Sequence, residues 1–139
     1  MSVQTAFRQY LLNDSAVSTA LGSRLRPVES APGDATPYAV YTIRNSNRQP
    51  RTHGGLVQYT AEIMIVGTYD TVTTVGEYIR RALDEWRGNS DSVNIRGAFL
   101  DDEEDVYNPP VANEEVGSYS KLQTWSIWAK ETRSPVAPA

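Results

Sequence analysis

Leu56-Val57-Gln58-Tyr59-Thr60-Ala61-Glu62-Ile63-Met64-Ile65-Val66 is the stretch that decides how this chain folds. Val57, Tyr59, Ala61, Ile63 and Ile65 recur at every second residue, with Gln58, Thr60 and Glu62 between them. Side chains alternate across a strand, so one face of this segment belongs in a core and the other is polar. The period then changes. Asp70 is positioned to cap a helix predicted over Thr71–Arg87, and Gly88 and Asn89 to end it. Its apolar residues Val72, Val75, Ile79, Leu83 and Trp86 are spaced by 3, 4, 4 and 3, which lines one helical face.

Working outward, Tyr38–Asn45 is rich in β-branched and aromatic residues and follows Pro37, so it reads as a strand antiparallel to Leu56–Val66. Ser46–Gly55, with Arg48, Pro50, Arg51, His53 and Gly54-Gly55, reads as a long hairpin connection. Upstream, Ser2 caps a helix to about Leu12 with Val3, Phe7, Tyr10 and Leu11 on one face. Asp14 caps a short second helix, Ser15–Leu21, closed by Gly22. Arg24–Pro27 is a short extended segment, and Glu29–Thr36 a loop. Downstream come a strand at Val93–Leu100, an acidic loop at Asp101–Asn113 and a closing strand at Tyr119–Lys130. The expected fold is α+β: a mostly antiparallel sheet of about four strands, with one long helix and an N-terminal helical segment. Residues 1–133 read as a single domain and residues 134–139, with two prolines, as a flexible C-terminal tail.

The closing strand raises a question. Leu122 and Trp128 fall on one face, and Trp125, Ile127 and Ala129 on the other. Both faces carry apolar side chains. Either the N-terminal helix covers the second face, or another subunit does, with Trp125 or Trp128 as a candidate interface anchor.

Composition narrows the function. The chain has 139 residues, 40% apolar and 22% charged, which suits one globular domain. With no cysteine, thiol nucleophiles, iron–sulfur sites, disulfide frameworks and cysteine-ligated zinc are excluded. No signal peptide or membrane-spanning run is visible in the sequence. The formal net charge of −4 argues against holding nucleic acid by phosphate neutralisation. That charge is unevenly placed. Residues 1–69 carry six Arg and four acids, whereas residues 70–139 carry seven bases and thirteen acids. Eleven of the thirteen basic residues are Arg, the side chain better suited to protein interfaces.

The catalytic inventory is close to empty. His53 is the one histidine, and neither an orienting partner nor a pocket neighbours it in sequence. Gly54-Gly55 is not followed by the Lys and helix that a phosphate cradle requires. Asp101-Asp102-Glu103-Glu104-Asp105 fails as a calcium loop, because Val106 stands at the turn glycine and Ala112 at the final bidentate glutamate. Five adjacent acids more commonly face water, or set the local field of a surface that must not hold anions. No catalytic, metal or cofactor-binding residue is assigned. Arg44, Arg48, Arg51 and His53 form a candidate loop for docking on an acidic protein surface. Aromatic residues do not interleave with them as a nucleic-acid platform requires.

One pattern is more specific as a whole than in its parts. An N-terminal helix leads into Asn13-Asp14-Ser15-Ala16-Val17-Ser18-Thr19-Ala20-Leu21-Gly22-Ser23-Arg24-Leu25-Arg26-Pro27 and then Pro37-Tyr38-Ala39-Val40-Tyr41. A strand at Tyr59–Val66, a helix at Tyr69–Trp86 and Tyr119-Ser120-Lys121-Leu122-Gln123-Thr124-Trp125-Ser126-Ile127-Trp128 follow in order. This resembles the tail-completion or tail-terminator proteins of long-tailed phages and prophages, over about residues 3–130. The departures are Asn13, where leucine or alanine is commoner, and the acidic run at 101–105.

The resemblance implies a non-enzymatic structural protein of the virion's head–tail interface, assembled in the host cytoplasm. It implies a homo-oligomeric ring, usually of six copies, on the head-proximal end of the tail tube. Its partners would be its own copies, the tail tube protein and the head–neck stopper protein, with no membrane involved. DNA would pass through the ring without specific binding. Six copies at −4 each would carry roughly −24, which favours DNA sliding past. On this reading Asp101, Asp102, Glu103, Glu104 and Asp105 line or border the channel, and the Arg44–His53 loop docks on the tube. The alternatives are another neck component (a stopper or head-completion protein) and a monomeric α+β ligand-binding domain.

Overall fold

The computed structural model describes residues 3–27, 37–48, 56–90, 93–109 and 118–131. Among these residues three helices and six strands run in the order α1 (Val3–Asn13), α2 (Ser15–Leu21), β1 (Leu25–Pro27), β2 (Tyr38–Arg48), β3 (Leu56–Gly67), α3 (Tyr69–Asp84), β4 (Gly88–Ser90), β5 (Val93–Asn108) and β6 (Ser118–Glu131). The strands form one sheet, ordered β1-β2-β3-β6-β5-β4. Every pairing is antiparallel except the three-residue β1 against β2. The fold is the expected α+β arrangement, its four long strands extended by a short strand at each margin.

Alternation in β3 does what its sequence requires. Val57, Tyr59, Ala61, Ile63 and Ile65 are buried, and so are Trp125, Ile127 and Ala129 of β6, which share their face. The stripes of α1, α2 and α3 close on this face, with Phe7, Leu11, Val17, Leu21, Val72, Val75, Ile79 and Leu83 at or near zero exposure. Trp86 ties the helices together. Its ring lies 5.9 Å from Phe7 and stacks on Tyr10 at 5.0 Å, while Phe7 meets Tyr41 of β2 at 5.3 Å. The Tyr10 hydroxyl donates to the Ala82 carbonyl at 2.6 Å, so α1 is bonded to the end of α3.

The turn between α2 and β1 shows why Gly22-Ser23-Arg24-Leu25 precedes Pro37-Tyr38. Gly22 caps α2 at φ 58°, in the left-handed region that favours glycine, and its N–H returns to the Ser18 carbonyl. Arg24 then donates from Nε to the Pro37 carbonyl at 2.8 Å and from Nη2 to the Ala20 carbonyl at 3.1 Å. One guanidinium therefore locks the end of α2 to the start of β2 and sets the following Leu25 into the core.

Several boundaries differ from the sequence expectation. Asp14 does cap α2, accepting from the Val17 N–H at 3.1 Å. The cap of α3, however, is Thr68, whose Oγ1 accepts from the Thr71 N–H at 3.3 Å. Asp70 lies in the first turn, where its charge meets the positive end of the helix dipole. The helix stops at Asp84, and Gly88-Asn89 opens β4 instead of ending α3. The connection expected from Ser46 is shortened because β2 runs on to Arg48. The largest correction concerns Asp101, Asp102, Glu103, Glu104 and Asp105. They form no loop; they lie within β5, with Asp102–Asp105 paired to β6 and Asp101 at a bulge. Ladder pairing with β6, where Lys121, Leu122, Gln123 and Thr124 stand opposite the run, overrides its turn-like composition. Residues 110–113 of the expected loop and the tail at 134–139 lie outside the described residues.

Candidate assembly surface

Because β5 is a strand, its acids are dealt to two faces. Register carries each one across the sheet: Ile65, Lys121 and Asp105 share a row, as do Ile63, Gln123 and Glu103. Those rows face the helices. On the other face Met64, Leu122 and Glu104 share a row, and Glu62, Thr124 and Asp102 the next. A bulge between Leu100 and Asp102 releases Asp101 from the alternation, and Ser126 Oγ of the open face donates to its carboxylate. Gln58 Nε2 donates to Ser126 Oγ at 3.1 Å.

Beneath the helix layer the two inward acids are held by a buried polar chain. Lys121, 9% exposed at its side chain, sets Nζ 2.9 Å from Asp105 and 3.9 Å from Glu103. Gln123 is fully buried and donates from Nε2 to Glu103 at 2.8 Å and to the Gly76 carbonyl at 3.0 Å. Trp125 Nε1 donates to Gln123 Oε1 at 3.1 Å, which completes the chain. Room for it comes from Gly76. A Cβ there would stand 2.5 Å from Lys121 Cδ and 3.3 Å from Gln123 Nε2. Buried polar groups are tolerated when each finds a partner, and these do. The acidic run thus splits in two. Glu103 and Asp105 are compensated by Lys121, whereas Asp101, Asp102 and Glu104 face away from the helices.

That second face is covered by none of the described helices. Leu56, Met64 and Phe99 are exposed on it, and Val40, Leu122 and Trp128 are half-buried. Trp128 sits in register with Gln58 and Gly97. Trp125 is on the opposite side, completely buried in the protomer's own core, so its indole is not presented to a neighbour. Arg44 also lies on the open face, exposed, with Nη2 4.0 Å from Glu62. Arg48 occupies the end of β2 opposite Val57, while Arg51 and His53 lie outside the described residues.

Two features escaped the sequence reading. Tyr69, Tyr107 and Tyr119 meet at one end of the sheet, with ring centroids 5.3 and 5.0 Å apart, and the first two are half-exposed. Only the β5–β6 register, which sets Tyr107 against Tyr119, brings them together. An open groove of about 620 Å³ runs between α2 and α3, lined partly by Ala16, Thr19, Pro37 and Tyr78. Among the described residues that line it, Asp70 is the only carboxylate, and none forms a nucleophile–base pair. Elsewhere, burial raises the Tyr10 hydroxyl above its ordinary pKa, with smaller contributions from Glu85 and Asp14. Burial also raises Tyr41, partly offset by Arg8. Among the described residues no group of three His, Cys, Asp or Glu is placed to hold a metal, and no helix is long and apolar enough to cross a membrane.

The architecture has a counterpart among solved structures. A chain of the "Virion of native gene transfer agent (GTA) particle" aligns with a TM-score of 0.68, over 93% of this chain and 95% of that one. The two chains share one fold. Sequence identity is 12%, so the likeness is one of fold. No family model and no curated protein matches the sequence.

Proposed function

We propose that this protein is a structural subunit of a phage-like virion, acting as a homo-oligomeric ring on the head-proximal end of the tail tube. There it stops tube polymerisation and offers a joining surface to the neck. The observation that carries the reading is the near end-to-end fold likeness to a chain of a virion particle. It is supported by the order of motifs from the N-terminal helix to the closing strand, and by a sheet face that none of the described helices covers. No enzymatic role is proposed.

On this reading Trp128, not Trp125, is the tryptophan available to a neighbour. Asp101, Asp102 and Glu104 border the channel if the open face turns inward, so that DNA meets carboxylates and is not held. Arg44, with Arg48, Arg51 and His53, contacts neighbouring protein. The test is electron microscopy of the purified protein mixed with tail tubes and, separately, with filled capsids. Rings at one end of the tubes support the reading. Binding to capsid portals alone makes the protein a stopper or head-completion component. A monomer that leaves both untouched would return attention to the α2–α3 groove and a ligand-binding role.

A further inference from the structure

We propose that neighbouring copies join edge to edge, the outer edge of β5 in one copy pairing antiparallel with the outer edge of β2 in the next. This inference rests on the ring reading above and names its contact. Both edges are open among the described residues. β1 pairs with β2 only at Ala39–Tyr41, leaving Thr42–Arg48, and β4 pairs with β5 only at Val93–Ile95, leaving Arg96–Asn108. A long row of unpaired N–H and C=O groups is a template for another strand.

Strand direction suits a closed ring. Three successive antiparallel pairings, β2–β3, β3–β6 and β6–β5, leave β5 antiparallel to β2 of its own copy. Rotation about an axis lying along the strands preserves direction, so β5 also meets the next copy's β2 antiparallel. The same rotation keeps the helices on one wall of the ring and the open face on the other.

Charge selects this contact over two-fold alternatives. Pairing β5 with a second β5 would set the Asp101–Asp105 run against itself, and pairing β2 with β2 would oppose Arg44 to Arg44. Like charges across a ladder destabilise it, whereas β5 against β2 joins acid to arginine. Such a contact is heterologous, the kind that closes rings.

The two short strands set the register. β1 and β4 occupy the outer margins at opposite ends of the sheet, so a level docking, with Thr42 beside Asp102 as in the rows of one protomer, would drive them into the neighbouring strands. A slide of about six residues per copy clears both, the kind of stagger that closed sheets require. An even slide keeps the faces matched. It brings Thr42 opposite Asn108 and Arg44 opposite Val106, with Glu104 the diagonal same-face neighbour of Arg44.

The absence of cysteine makes the test clean. The full chain carrying Arg44→Cys together with Val106→Cys is oxidised and run without reductant, beside both single variants, with circular dichroism to confirm folding. Native mass is measured for the unmodified protein. The expected result is a ladder of covalent oligomers ending at the mass of the ring, with single variants going no further than traces of dimer. In parallel, Arg44→Glu and Glu104→Arg should each raise the concentration for half-assembly about five-fold or more, and the double swap should restore it. A ring that forms without the ladder and ignores the swaps overturns edge pairing and leaves the ring reading standing. Efficient dimers of Val106→Cys alone overturn it in favour of β5 against β5. A ladder without a closed species supports the edge contact and refutes the ring.

Discussion

Gly76→Ala is the most informative single substitution. On an open helix face this change stabilises by about 1 kcal/mol, because alanine is the better helix former. Here the new methyl would stand 2.5 Å from Lys121 Cδ and 3.2 Å from Cε. Lys121 cannot easily retreat, being buried and held between Asp105 and Glu103. Overpacking of this kind costs about 1–3 kcal/mol, and losing the Gln123 bond to the Gly76 carbonyl adds roughly 0.5–1.5 kcal/mol. After the propensity gain, the net expectation is a loss of about 1–3 kcal/mol in urea unfolding at neutral pH. The control is the same change in a Lys121→Ala background. With the lysine stem gone, Gly76→Ala should become neutral or stabilising, a coupling of at least about 1 kcal/mol in the double-mutant cycle. If Gly76→Ala stabilises the unmodified protein, or if the cycle shows no coupling, the buried chain beneath the acidic run is not arranged as described.

Other perturbations test other levels. Trp125→Ala should cost about 3–5 kcal/mol in urea unfolding because its indole fills the core, whereas Trp128→Ala should cost far less and show its effect in assembly mass. Thr68→Ala should lose about 1 kcal/mol through the α3 cap, and Asp70→Ala less, reversing the order expected from sequence. The raised Tyr10 hydroxyl gives a pH signature. Its neutral form is favoured on folding, so this contribution is intact below the ordinary tyrosine value of 10.0 and is lost as pH rises through the folded-state value. Tyr10→Phe should lower neutral stability by about 1 kcal/mol and flatten part of the alkaline decline, read as melting temperature against pH.

The sequence was most legible where one period ran unbroken. The alternation of Leu56–Val66 and the stripe of Val72, Val75, Ile79, Leu83 and Trp86 identified the central strand, the main helix and their buried faces, because each pattern follows from local geometry. The acidic run was misread for the converse reason. Five consecutive acids carry no alternation, and their strand conformation is imposed by β6, a partner distant in sequence. Their division between Lys121 and the open face depends on a bulge and a cross-strand register that no local pattern encodes. The Tyr69, Tyr107 and Tyr119 cluster was hidden in the same way. The two faces of Trp125 and Trp128 were readable from parity, but the side on which all three helices would pack was not. That choice is made by the buried aromatic contacts among Phe7, Tyr41 and Trp86.

The central claim is that this fold works as a closed ring of identical subunits, and native mass of the full-length protein, alone and in the presence of tail tubes, tests it most directly. A ring gives one dominant closed multiple of the 15.4 kDa chain, formed in solution or on the tube end and weakened by Arg44→Glu. A monomer under both conditions, at every concentration examined, would contradict it.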